Sequence, residues 1–290
     1  MPTHLYGLPA PAKLNLFLHV TGRRADGRHT LQSVFELIDL ADTVDLTLRE
    51  DGHILRTGDV IGDIGQDLCV RAAEALKHES GVTLGAEIRV TKRIPAGAGL
   101  GGGSSDAATT LIGLNRLWGL NFTREQLARI GLTLGADVPF FLFGRTAWAE
   151  SIGESLSPVT LPASRYVLLW PAESLSTAKI FQDPLLTRNT KSVKMAVFSD
   201  FVKTHKAMTF GRNDLQDVAM RHLPAVGHAL KLLESRGWSA RMTGSGSAVF
   251  AVLDDVEAFR LDKFEYPKGW LAFEARTLTE HPLYGWLGTQ

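Results

Sequence analysis

Cysteine and surplus charge are both scarce in this chain of 290 residues. Its single cysteine, Cys69, can form neither a disulfide within the chain nor a thiolate metal cluster. The 31 Lys and Arg residues balance the 31 Asp and Glu residues, so the basic surplus typical of nucleic-acid-binding proteins is missing. Nine histidines are scattered without the spacing of a metal site. We therefore expect no nucleic-acid partner, and the sequence leaves the ligands of any metal unknown.

Long apolar segments are absent too. No run approaches the ~18 residues of a membrane-spanning helix, and the residues after Met1 lack the charged and then apolar pattern of a signal peptide. We therefore expect a cytoplasmic protein with no membrane partner. Hydrophobic residues make up 44% of a chain long enough for one large or two closely packed domains.

Strand and helix patterns occur without regular alternation, which favours an α+β fold. Residues 13–20 alternate between apolar and polar, which predicts a strand with Lys13 and Asn15 on one face and a hairpin turn at residues 22–28. Two domains are predicted, 1–158 and 159–290. Further strands are predicted at 43–48, 86–91, 146–149, 166–170 and 248–253, and helices near 67–79, 111–118, 123–134, 191–207 and 212–235.

Residues 95–105, Pro-Ala-Gly-Ala-Gly-Leu-Gly-Gly-Gly-Ser-Ser, are too rich in glycine for the interior of a helix or strand. Backbone N–H groups without side chains around them can converge on an anion, and the following helix adds its unpaired N-terminal donors. Ser104 or Ser105 is predicted to cap that helix. A flexible linker is the simpler alternative, but a linker would not lie between a strand and a strongly patterned helix. The segment therefore predicts a phosphate-binding loop.

Sequence context argues against three other kinds of phosphate loop. Gly97, Gly99 and Gly102 match G-x-G-x-x-G, but a dinucleotide site also needs an acidic residue about 20 positions later, and none stands there. A Walker loop needs a lysine within it, and a protein kinase needs a His-Arg-Asp segment. Neither occurs, so an oxidoreductase, a Walker-type ATPase and a protein kinase are all disfavoured.

Three segments resemble the motifs of the GHMP kinases, the superfamily of galactokinase, homoserine kinase and mevalonate kinase. Residues 11–15 are similar to the first motif, 95–105 to the second and 242–246 to the third, in the expected order. The resemblance implies a GHMP kinase fold of two domains, with the glycine-rich phosphate loop and the active-site cleft between them. It also implies ATP and Mg²⁺ as cofactors.

Residues 12–18, 24–29, 131–139 and 180–184 are similar to one branch of that superfamily. That branch transfers the γ-phosphate of ATP to the 2-hydroxyl of 4-diphosphocytidyl-2-C-methyl-D-erythritol, in the non-mevalonate pathway to isoprenoids. The implied partners are ATP and the small cytidyl substrate, and we expect a monomer or weak homodimer.

The resemblance assigns a catalytic pair, with Asp137 as the base toward the attacking hydroxyl and Lys13 stabilising its negative charge. Considered alone, Lys13 is more simply interpreted as a solvated strand lysine and Asp137 as a turn residue. The catalytic roles therefore depend on the occurrence of the motifs together. The implied ATP-binding residues are Asp67, Leu68, Lys92, Pro95, Ala96, Gly97, Ala98, Gly99, Leu100, Gly101, Gly102, Gly103, Ser104 and Ser105. The implied substrate-binding residues are Asn15, Arg28, His29, Phe181, Thr243 and Gly244.

One position departs from the branch, because Arg28 stands where its members usually have Tyr. The resemblance implies that His29 hydrogen-bonds a cytosine while Phe181 stacks on it, with the missing aromatic on the opposite face. A guanidinium can also lie flat on a base, so we predict weakened but retained recognition of the cytidyl group. Asn213 and Asp214 match a further family pattern and are predicted to be structural.

Two alternatives stay open. Another GHMP kinase, acting on a sugar, homoserine or a mevalonate-like alcohol, would not need the cytidine diphosphate group. A catalytically silent ligand sensor of the same fold would lack Lys13 or Asp137; both are present, which disfavours it.

Overall fold

The computed structural model describes residues 2–253 and 259–287 and contains two β-sheets. In the first sheet β2 is the central strand, since it pairs antiparallel with β1, β4 and β5, while β3 adds to β4 in parallel. The predicted hairpin turn joins β1 and β2. The strands of this sheet are β1 (His4–Arg23), β2 (His29–Arg49), β3 (Ile54–Gly58), β4 (Gly85–Thr91), β5 (Ala147–Glu150) and β6 (Ser155–Pro158).

The second sheet has the order β10-β7-β9-β8, and all of its pairs are antiparallel. Its strands are β7 (Arg165–Trp170), β8 (Ala240–Met242), β9 (Val249–Val252) and β10 (Leu271–Arg276). The mixture of antiparallel sheets and helices confirms the α+β class. The first sheet ends at Pro158 and the second begins at Arg165, while the division into domains 1–158 and 159–290 stays a prediction.

Eight helices accompany the sheets in the described residues. The Asp67 carboxylate caps α1 by accepting the Cys69 N–H at 2.8 Å, and Thr123 and Gln126 form a capping box at the start of α3. The helices are α1 (Leu68–Ser80), α2 (Gly102–Leu117), α3 (Arg124–Leu134), α4 (Val138–Phe143), α5 (Thr177–Gln182), α6 (Met195–Phe201), α7 (Gln216–His222) and α8 (Pro224–Glu234). None of them is both long enough and apolar enough to cross a membrane.

Two helix predictions need correction. The predicted helix at 191–207 is α-helical only in α6, and the one at 212–235 is two helices, because Pro224 lacks the N–H that would continue α7. The capping role predicted for Ser104 or Ser105 is wrong. The helix starts earlier, at Gly102, after Gly101 turns the chain with a φ of 74°, and no side chain of the described residues caps it. The N–H groups of its first turn therefore have no side-chain acceptor.

Apolar packing joins the two sheets. The first four helices cover one face of the first sheet, and α7 and α8 pack on the second. Between the sheets lies a third buried cluster, to which β1 contributes Phe17, β5 contributes Trp148 and β9 contributes Phe250. Leu18 on β1 packs in the apolar cluster of the second sheet, and Leu283 near the C-terminus packs in the cluster of the first sheet. This shared packing fixes the cleft between the sheets.

Candidate active site

A cavity of about 880 Å³ lies between the two sheets and is lined by all but two of the predicted site residues. The exceptions are Ser105 and Thr243. Ser105 is fully buried in the first turn of α2, where its hydroxyl has no hydrogen-bond partner among the residues that the structure describes. Thr243 is also buried, and its hydroxyl accepts the Asn15 N–H at 3.0 Å from behind the cavity wall. All other implied catalytic, ATP-binding and substrate-binding residues meet in one place.

Lys13 and Asp137 face each other in this cavity. Lys13 Nζ lies 3.6 Å from Asp137 Oδ2 and also donates to the side-chain oxygen of Asn15. The lysine is buried in the middle of β1, whereas the aspartate, just before α4, keeps about a third of its side chain exposed. The predicted alternation along β1 is confirmed, since Lys13 and Asn15 share a face. An enclosed ammonium thus sits beside a carboxylate that a ligand can reach.

Backbone hydrogen bonds hold the glycine loop against the first motif and against the chain just after the third motif. The Lys13 N–H donates to the Leu100 carbonyl at 3.0 Å, and the Ala248 N–H donates to the Ala98 carbonyl at 3.1 Å. Gly99, with a φ of 78°, packs so closely that a Cβ would fall 2.3 Å from the Thr243 carbonyl oxygen. The three segments singled out in the sequence therefore form one continuous wall.

Lys92, one of the residues implied to bind ATP, lies in an ion cluster that the sequence did not reveal. Its ammonium donates to Asp42 and, at 2.7 Å, to Asp106 Oδ2. Asp42 also accepts the Ile94 N–H at 2.8 Å, so the cluster anchors the entry to the glycine loop. Burial raises the pKa of Asp106 to about 7, although the neighbouring Lys92 opposes the rise. The only signal in the sequence was the position of Asp106 directly after the two serines.

The other residues implied to contact the nucleotide flank the same end of the cavity. Asp67, besides capping α1, forms an ion pair with Arg56 at 2.9 Å. Leu68 is the first residue of α1, and the exposed side chains of Ile61 and Leu132 add apolar surface at the rim. This end thus combines apolar side chains with one capped helix start.

The opposite end of the cavity is aromatic. The rings of His29 and Phe181 stack with their centroids 5.0 Å apart and their planes at 26°. Arg188, which sequence reasoning missed, donates from Nε to His29 Nε2 at 3.1 Å and from Nη2 to the Phe181 carbonyl at 2.9 Å. Arg28 lies exposed at the mouth. Burial lowers the pKa of His29, and Arg188 and Arg23 lower it further.

Asn213 and Asp214 have the supporting positions predicted for them. The Asn213 amide donates to the carbonyl oxygens of Met242 and Gly244, each at 2.8 Å, and so holds the third motif in place. Asp214 accepts the Val20 N–H at 2.8 Å and fixes the far end of β1. Both residues are buried.

The arrangement has the parts that phosphoryl transfer requires. Such transfer depends mainly on positioning and on stabilising charge, rather than on covalent chemistry of the protein. The glycine loop and the uncapped start of α2 offer N–H donors to an anion. The Lys13–Asp137 pair adjoins that loop, and the aromatic end lies across the same cavity. There is room for two small ligands to meet at the pair.

Comparison with known proteins agrees with the resemblance to the GHMP kinases. The family model "GHMP kinases N terminal domain" matches residues 67–145, and "GHMP kinases C terminal" matches residues 193–261. The 4-diphosphocytidyl-2-C-methyl-D-erythritol kinase of Paracidovorax citrulli is 53% identical, with 97% of each chain covered. The protein of that name from Methylibium petroleiphilum is 52% identical, with 98% of each covered.

Solved structures agree at the level of the fold. A crystal structure of 4-(cytidine 5'-diphospho)-2C-methyl-D-erythritol kinase superposes with a TM-score of 0.75 at 31% identity, covering 94% of this chain and 98% of that one. The mevalonate kinase of Methanococcus jannaschii gives a TM-score of 0.68 at 14% identity, covering 95% of this chain and 98% of that one.

Proposed function

The chain belongs to the GHMP kinase family, and we propose that it phosphorylates the 2-hydroxyl of 4-diphosphocytidyl-2-C-methyl-D-erythritol with ATP, a step in making isoprenoid precursors. Relatives that share about 50% of their residues with this chain, over nearly its whole length, carry that kinase name. The observation that carries the proposal is the Lys13–Asp137 pair at 3.6 Å, between the glycine loop and the aromatic end of one cavity.

In the proposed reaction Asp137 accepts the proton of the 2-hydroxyl as its oxygen attacks the γ-phosphorus. A new O–P bond forms while the bond between the γ-phosphorus and the bridging oxygen breaks, and that oxygen leaves on ADP. Lys13 stabilises the negative charge that develops on the attacking oxygen and keeps Asp137 in position. Asn15, bonded to Lys13 and Ser33, fixes the ammonium from the substrate side.

On the ATP side, the backbone of residues 95–105 and the first turn of α2 receive the phosphates. Asp67, Leu68 and Lys92 border the adenosine end, with Lys92 acting through the ion cluster that anchors the loop. Mg²⁺ fits this site because Ser104, which carries a hydroxyl, lines the cavity and Mg²⁺ prefers oxygen ligands, including those of bound phosphates. When bound, the ion would neutralise phosphate charge.

On the acceptor side, His29 and Phe181 hold the cytosine and Arg28 lies on its other face. Gly244 and Asn15 border the methylerythritol, and Thr243 supports them from behind. The boundary at 158/159, the cytoplasmic location and the state of monomer or weak homodimer remain predictions. Gel filtration with light scattering measures the last of these.

A panel of acceptors tests the substrate. Purified enzyme with ATP is offered the cytidyl substrate, homoserine, mevalonate and galactose, and the products are assigned by phosphorus NMR. We expect phosphate only on the cytidyl compound, at its 2-hydroxyl. Faster phosphorylation of an alcohol without the cytidine diphosphate group would favour the other GHMP activities instead.

A further inference from the structure

Arg188 links the two rings at the aromatic end of the cavity. It follows α5, and its guanidinium donates four hydrogen bonds. Nη2 reaches the carbonyl oxygens of Phe181 at 2.9 Å and Asp183 at 2.7 Å, and Nη1 reaches that of Leu186 at 3.1 Å. The backbone of its own segment therefore holds the guanidinium still. The fourth hydrogen bond runs from Nε to Nε2 of His29 at 3.1 Å.

This contact determines where His29 carries its proton. A guanidinium has N–H donors and no acceptor, so Nε2 of His29 must present its lone pair. A neutral imidazole with a lone pair on Nε2 has its hydrogen on Nδ1. Within residues 2–253 and 259–287, no group accepts a hydrogen bond from that Nδ1. The Nδ1 proton is therefore free to meet a ligand in the cavity.

The surroundings of His29 favour the neutral ring. Burial lowers its pKa first, and the positive charges of Arg188 and Arg23 lower it further. The ring is also confined, because it stacks on Phe181, whose own carbonyl is bonded to Arg188. Near neutral pH, His29 is thus an oriented donor at Nδ1 and an acceptor at Nε2.

We propose that Arg188 is a positioning residue for base selection, which fixes the Nδ1–H form of His29 and so favours a cytosine base over a uracil base. The inference deepens the proposed function and rests on it for the identity of the ligand. Cytosine N3 accepts a hydrogen bond, whereas uracil N3 carries a hydrogen. An N–H donor held at His29 Nδ1 can therefore bond cytosine N3, whereas it would face the N3 hydrogen of uracil. A binding site disfavours a ligand strongly when the contact leaves buried polar groups unpaired.

The first test needs neither ligand nor turnover. Nitrogen-15 NMR of the imidazoles in the ligand-free protein at neutral pH reports which nitrogen of His29 carries the proton. We expect the Nδ1–H form in the parent and a shift toward the Nε2–H form in Arg188→Met, which keeps the aliphatic bulk and removes the donors. Arg188→Lys, which still has donors only, should retain part of the parent signal.

The second test measures how strongly the enzyme prefers the cytidyl substrate to its uridyl analogue. The ratio of kcat/KM for the cytidyl substrate to that for its uridyl analogue should fall about tenfold or more in Arg188→Met. The ratio should fall because kcat/KM for the cytidyl substrate decreases. Arg49→Met is the matched control, because Arg49 pairs with Asp51 at the other end of β2, outside the cavity. Its ratio should equal that of the parent.

Two results would overturn the proposal. One is a His29 of the parent that carries its proton on Nε2, or on both nitrogens, at neutral pH; this measurement decides even if Arg188→Met does not fold. The other is an unchanged cytidyl-to-uridyl ratio in a folded Arg188→Met. Failure of the proposed function looks different, since the parent would then not turn over the cytidyl substrate while the NMR result would stand.

Discussion

At the scale of single residues, the charge of Lys92 compensates two buried acids. Its ammonium contacts Asp42 and Asp106, both of which are almost fully enclosed. Removing one partner of a buried ion pair is far more costly than neutralising an acid that already repels its neighbour. We expect Lys92→Met to lower the free energy of unfolding by about 3 kcal/mol at pH 8, and Asp106→Asn by less than about 1 kcal/mol. Urea unfolding measures both, and equal losses would contradict this account.

The sequence revealed site residues where a local pattern carried the information. Alternation along β1 was enough to put Lys13 beside Asn15, because successive side chains of a strand point to opposite faces. Arg188 could not be found this way. Its partner His29 lies 159 positions away in the chain, and no local pattern encodes a contact made only when two sheets pack together.

At the scale of elements, Gly99 allows the glycine loop to pack directly against the third motif. A Cβ there would fall 2.3 Å from the Thr243 carbonyl, and the φ of 78° is strained for other residues. We expect Gly99→Ala to raise KM for ATP at least about tenfold by displacing the loop. Gly227→Ala in α8 is the control, since its Cβ meets nothing nearer than Met220 Sδ at 3.5 Å. An unchanged KM in Gly99→Ala would contradict the role of this contact.

The start of α2 shows the limit of element prediction from sequence. Ser104 and Ser105 are good capping residues, and their position suggested a helix beginning after them. The helix begins instead at Gly102, because Gly101 adopts the left-handed conformation and allows the chain to turn there. Propensity disfavours glycine in a helix, so the extra turn was not predictable. Within the described part of the chain, this start leaves the first N–H groups of α2 without a side-chain cap, at residues that line the cavity.

At the scale of the whole molecule, one buried carboxyl group joins the two sheets. Glu36 on β2 accepts hydrogen bonds from the hydroxyls of Tyr166 on β7 and, at 3.2 Å, of Thr277 after β10. Burial raises the pKa of Glu36 from 4.5 to about 7, although both hydroxyls oppose the rise. The folded protein thus binds this proton more tightly than the unfolded chain. Its stabilising effect is complete below about pH 4.5 and is lost as the pH rises through about 7.

Glu36→Gln tests that interface. Relative to the variant, the parent should lose up to about 3 kcal/mol of unfolding free energy between pH 5 and pH 8. Urea unfolding at several pH values measures the difference, and subtracting the two curves removes the effects of Asp106 and the other titrating groups. Glu74→Gln on the exposed side of α1 should follow the parent at every pH. If the unfolding free energies of the parent and Glu36→Gln changed equally with pH, protonation of Glu36 would not stabilise the packing of the two sheets, which would contradict this prediction.

In the proposed reaction Asp137, beside Lys13, is the base for phosphorylation of the cytidyl substrate. The most direct measurement is ADP release with ATP and that substrate, by the parent and by Asp137→Asn, which keeps the size of the side chain. We predict release by the parent only when the cytidyl substrate is present. In the variant kcat should fall at least about 100-fold, while KM for ATP stays near that of the parent. Turnover of the variant at a rate close to that of the parent would contradict the account.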